Sequence, residues 1–187
     1  MKRTSFCFLL FFCLCLSCKV DRQQLDVQRK LSLAEFLMED NPDSALAVLR
    51  DVDTIVLRKS ESLNMEFNLL WVNIQNRLDN PMMKLEEFIP VLDYYDREGD
   101  TSKKMLAYYL AGRICVVGNE YPLAMDYFQR VRDIASETDE KSDYMTQYRT
   151  HSQMAEIYHN QHLYQKSYDE CMEASQIAYN NQDTLRA

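Results

Sequence analysis

Apolar residues recur along most of the chain three and four positions apart, the spacing of one helical face, with polar residues between them. From residue 23 to residue 180 this pattern is broken only by short polar or proline-bearing stretches, which predicts an all-α fold of about four helix pairs. Asn41-Pro42 marks a helix start, because an asparagine side chain can satisfy an orphan amide and proline's fixed φ suits a first turn. Asn80-Pro81 is expected to cap a helix in the same way, and Tyr121-Pro122 to open one. The segment SESLNMEFNLLWVNIQNRL predicts a helix carrying Leu69, Leu70, Trp71 and Ile74. Pro90 falls inside an apolar run, so MMKLEEFI and PVLDYYDRE are expected as two shorter helices that Gly99 stops.

Two segments share a finer pattern. AGRICVVGNEYPLAMDYFQRV and MAEIYHNQHLYQKSYDECMEA each begin at a small residue, Gly112 or Ala155. At +3, +9, +12, +16 and +19 from it stand Cys115, Tyr121, Ala124, Phe128 and Val131 in the first, and Tyr158, Tyr164, Ser167, Cys171 and Ala174 in the second. Small side chains at matched points of two antiparallel helices let their backbones approach, so Gly112 with Ala124, and Ala155 with Ser167, are expected at the crossings. The segments are offset by 43 residues, which predicts long helices and a charged connection around SETDEKSD. Earlier, LSLAEFLMEDNPDSALAVLRDV fits the scheme with Leu33, Phe36, Ala45, Leu49 and Val52.

At this point the chain resembles the tetratricopeptide repeat, whose pattern has a small residue, an aromatic and alanines at these intervals. The resemblance implies a right-handed helical-hairpin solenoid whose first helices line a concave groove for a peptide or partner helix. The matching groove positions are Leu106, Tyr109, Arg113, Val116 and Val117 in one unit, and Arg149, Ser152, Glu156, His159 and Asn160 in the next. Tyr109 and Arg113 are the expected anchors, since Tyr and Arg are common interface hot spots. The lysine and asparagine of the carboxylate clamp in chaperone-binding relatives are not found at the matching positions. A groove with no occupant is the alternative.

The N-terminus has a different character. Lys2 and Arg3 precede eleven apolar-rich residues, Phe6–Leu16, too few to span a membrane but suited to a signal-peptide core. The run closes on Cys15-Leu16-Ser17-Cys18, which resembles the lipobox of bacterial lipoproteins and so implies cleavage before Cys18 and lipidation of its thiol. Ordinary secretion with Cys18 left as a thiol is the alternative. Lys19, in place of the aspartate of an inner-membrane retention signal, implies an outer-membrane address. The boundaries that follow are a signal peptide at 1–17, a lipidated tether at 18–22, a repeat domain at 23–180 and a tail at 181–187. Lipobox and repeats together resemble the helical-repeat lipoproteins of Gram-negative gut-type bacteria. That points to a membrane-anchored scaffold for another envelope protein, with the input region of a longer regulator as the alternative.

Charge and composition narrow the chemistry. A formal charge of −8 and a pI near 4.9 argue against a nucleic-acid partner. Removing the first 17 residues, with two basic and no acidic side chains, takes the charge to −10. Three glycines are too few for a phosphate cradle, and neither GxSxG nor HExxH occurs, so no enzyme activity and no cofactor are expected. Glu156, His159 and His162 could share one helical face as metal ligands, but two of the three sit where imidazoles are ordinarily solvated, and no metal is expected. Cys115 and Cys171 are expected as buried free thiols, a disulfide between them being the alternative. After Tyr179 there is no room for a polar capping helix, so the last pair should expose Leu163, Met172 and Ile177. Self-association through that end, or a chain cut short, would account for it.

Overall fold

A computed structural model describes residues 22–98, 100–137 and 143–182. Among these residues the regular structure is helical, without a strand, as the periodicity predicts. The signal segment, Cys18, most of the charged SETDEKSD connection and residues 183–187 lie outside the described residues. No described helix is long and apolar enough to cross a membrane. The chain divides into two compact units at Asn80 and Pro81.

The first unit contains α1 (22–37), α2 (Pro42–Arg50), α3 (Thr54–Leu57) and α4 (Glu61–Arg77). Asn41 caps α2 as expected, its side chain accepting from the Ser44 amide at 3.0 Å. Asp53 and Ser60 cap α3 and α4 in the same manner. Ala45, Leu49 and Val52 are buried, but Leu33 and Phe36 are not; the core face of α1 is Val27, Leu31, Ala34 and Met38. The repeat register fitted to this unit is therefore one residue out in its first helix, because Ala34 is the small residue that the core receives and Leu33 points about 100° away from it. Asn80 does not cap a following helix: its amide bonds back to the Gln75 carbonyl at 3.0 Å and its side chain to that of Gln75 at 2.9 Å, closing α4 instead. Lys30 with Asp51, and Arg77 with Glu39, tie the first unit's elements at the surface.

The second unit contains α5 (Leu85–Glu98), α6 (Thr101–Val117), α7 (Tyr121–Glu137), α8 (Tyr144–Asn160) and α9 (Tyr164–Asn180). Contrary to the expectation of two short pieces, α5 runs unbroken through Pro90, while residues 81–84 are not helical. Pro90 is exposed, so the Glu86 carbonyl that loses its donor faces water, and the buried stripe Phe88, Val91, Leu92 and Tyr95 holds the helix together across the gap. α4 packs on α2 and α3 whereas α5 packs on α6, so the expected second pair is not a repeat of its own. On the polar side Asp96 of α5 takes the Lys104 ammonium at 2.8 Å and the Tyr108 hydroxyl at 3.1 Å from α6. The lysine bond, first among these, holds the Asp96 carboxyl below its ordinary range.

α6 and α7, and α8 and α9, form two antiparallel hairpins with short turns. Gly112 is buried, and a methyl group there would stand 2.4 Å from Cε1 of Phe128. The ring, at the +16 position of the repeat, thus fills the space that the missing side chain leaves. In the second hairpin the Ser167 hydroxyl donates to the Ala155 carbonyl at 2.9 Å, which places those two helices in close contact. Both turns carry a residue of positive φ seven positions after the small one, Asn119 at 61° and His162 at 60°. The amide after each bonds back five residues, Glu120 to Cys115 and Leu163 to Tyr158.

Candidate interaction surface

One row of side chains at helical spacing lies on each helix of the α8–α9 hairpin. On α8 it is the half-buried Tyr148 and Ser152 with the exposed Glu156 and His159; on α9 it is the exposed Tyr164, Tyr168, Cys171 and Tyr179 with the half-buried Ser175. Between the two rows runs an open groove of about 440 Å³ whose floor is formed by the buried Ala155, Ser167 and Ala174. The small floor residues are those that let the helices approach, so the groove follows from the hairpin's packing. Tyr164 and Tyr168 are exposed beside it, as are Leu163 and Met172. Ile177, expected among the exposed residues, is half-buried.

Of the groove residues inferred from the repeat pattern, Ser152, Glu156 and His159 line this groove. Asn160 is exposed at the end of α8, and Arg149 is half-buried. Val117 lines a separate cleft with Met82, Met83 and Glu120 at the end of α6, while Leu106 and Val116 are half-buried. Tyr109 is 4% exposed with its ring tilted against Phe128, so this expected anchor belongs to the core of the α6–α7 hairpin. The reason is that Gly112 admits Phe128 deeply, and Phe128 takes Tyr109 with it. Arg113 is engaged with Gln153, linking α6 to α8. The structure therefore gathers Ser152, Glu156 and His159 in one groove, seals Tyr109 in the core and leaves the others outside that groove.

Glu156, His159 and His162 do not converge. His162 bonds Tyr164 through Nδ1 at 2.9 Å, and His159 packs edge-on to the same ring. No group of three His, Cys, Asp or Glu among the described residues is arranged to hold a metal ion. Cys115 is buried as expected, and burial, with the Glu120 charge adding to it, pushes its thiol up to about 11. Cys171 is exposed, contrary to expectation; the buried residue beside it on α9 is Glu170.

That glutamate belongs to a polar cluster the sequence pattern did not single out. Glu170 Oε2 lies 2.6 Å from Nδ1 of His151 on α8, and Oε1 lies 3.2 Å from Nη1 of Arg132 on α7. The carboxylate can accept from both neighbours, which answers the cost of burying it. The cluster borders an open cleft of about 480 Å³ with Gln129, Thr150 and Glu173 on its walls. Its bonds tie α7, α8 and α9 together. The signal that could have found it is the spacing of Ser167, Glu170, Ala174 and Ala178, which puts a charged residue on the buried stripe of α9.

Compared with known proteins, the chain matches no family model, no curated protein and no solved structure.

Proposed function

We propose that the chain is a non-enzymatic scaffold of the tetratricopeptide-repeat kind, anchored to the envelope through a lipidated Cys18, that receives a helix or peptide of another envelope protein between α8 and α9. One observation carries this reading: a groove floored by small residues lies open between two helices, with Tyr148 on its lining and Tyr164 and Tyr168 exposed on α9. Such a channel accepts the side-chain ridge of a third helix, and tyrosines offer large contact area at low entropic cost. The reading needs no cofactor and no nucleic acid. Outer-membrane placement rests on Lys19 following the lipobox. The exposed Leu163, Met172 and Tyr179 along α9 also suit self-association.

Two substitutions in the full chain test the two halves separately. Cys18→Ser should move the protein out of membrane fractions; retention there contradicts lipidation. Ser175→Trp, which fills the groove, should abolish recovery of the partner that wild type retains after crosslinking in intact envelopes. Undiminished recovery contradicts the groove.

A further inference from the structure

α1 is apolar on two opposite sides. One is sealed in the core through Val27, Leu31, Ala34 and Met38. The other carries Leu25, Leu33 and Phe36, which are 49%, 47% and 78% exposed. Residues 22, 25, 29, 33 and 36 follow intervals of three and four, so Arg22 and Arg29, both exposed, lie in this second stripe. No carboxylate falls within it: Asp26 stands at its edge, 3.5 Å from the Lys30 ammonium, and Glu35 lies about 100° around the helix from Phe36. In a chain of charge −8 this face combines large apolar side chains with two cations, and the one carboxylate at its edge, Asp26, is paired with Lys30.

We infer that this face of α1 lies on an anionic phospholipid surface as an interfacial helix, with Leu25, Leu33 and Phe36 in the headgroup boundary and the two guanidinium groups on lipid phosphates. The inference rests on the lipidation of Cys18 proposed above. Arg22 stands four chain steps from that cysteine, a reach of at most about 14 Å, so the lipid that holds Cys18 brings the surface to the start of α1. A single stripe of three apolar residues is a weak membrane ligand alone, but next to an anchor the lipid is always at high local concentration. α1 then fixes the orientation in which the rest of its unit stands on the membrane.

The test uses the full-length protein, produced and lipidated in a Gram-negative host and reconstituted in vesicles of phosphatidylethanolamine and phosphatidylglycerol, with no other protein present. In a Cys171→Ser background, an environment-sensitive fluorophore is attached to Phe36→Cys or, as control, to Ser62→Cys on the exposed face of α4. Phe36 and Ser62 touch no core, so both variants should keep the fold. Quenching by spin-labelled lipid should be at least about threefold stronger at position 36 than at 62. It should fall to the control level when Arg22 and Arg29 are both replaced by Glu, or when phosphatidylglycerol is omitted. Equal quenching at the two positions in membrane-bound protein overturns this inference alone. Failure of the protein to remain with the vesicles overturns the lipid anchor itself.

Discussion

Gly112 shows how much one absent methyl group decides. Its hydrogen occupies the only space left by the Phe128 ring, and the ring's depth in turn buries Tyr109. Gly112→Ala gains helix propensity but forces the ring out of place, and overpacking of this kind costs about 1–3 kcal/mol. Thermal unfolding should show a clear fall in Tm; an unchanged Tm would mean that the ring moves freely. The repeat spacing made this residue legible, because small size at a fixed interval is a property of sequence alone. Glu170 was not legible, since whether a charge is buried depends on partners 19 and 38 residues away. The same rotation of α9 that buries Glu170 turns Cys171 outward. At pH 8 an alkylating reagent should therefore modify Cys171 quickly. Cys115, whose thiol is held near 11, should react only after denaturation. Equal rates at the two thiols, read by mass spectrometry of the folded protein, would contradict the packing of α6.

At the scale of elements, the caps and turns were readable where one residue type does one job. Asn41 before Pro42 is such a case, whereas the positive-φ residues Asn119 and His162 at matched positions of two hairpins came from the structure. Asn80-Pro81 misled because asparagine can close a helix as well as open one, and here its bonds go back to Gln75. Leu33 misled because several residues of α1 on opposite sides are apolar, and spacing alone cannot say which stripe meets the core. Pro90 misled because a proline is tolerated where the carbonyl it orphans faces water and the apolar stripe continues beyond it. It still leaves a ladder bond unmade. Pro90→Ala should restore that bond and raise stability by roughly 1–3 kcal/mol, the gain reduced by the greater freedom of the unfolded chain. Chemical denaturation measures this directly, and a loss of stability would show that the ring packs against something the helix needs.

For the whole molecule, the described residues form helices whose close approach provides cohesion. Its described cysteines are free, and its two units each hold a core of their own. All-helical character was legible from the 3.6-residue period, whereas the split of the expected second pair between α4 and α5 was not. That division arises from which apolar stripe finds which neighbour, a fact of three dimensions. The account joins three surfaces to three tasks: Cys18 to attachment, the outer stripe of α1 to the lipid, and the α8–α9 groove to a partner. The groove is the central claim, and site-specific photocrosslinking in living cells tests it most directly. With the photoreactive residue at His159, on the groove, a single discrete adduct should form and disappear when Ser175→Trp fills the channel. The same probe at Ser62 should give none. Adducts of equal yield from both positions, or an adduct at 159 that the filled groove leaves intact, would contradict the account.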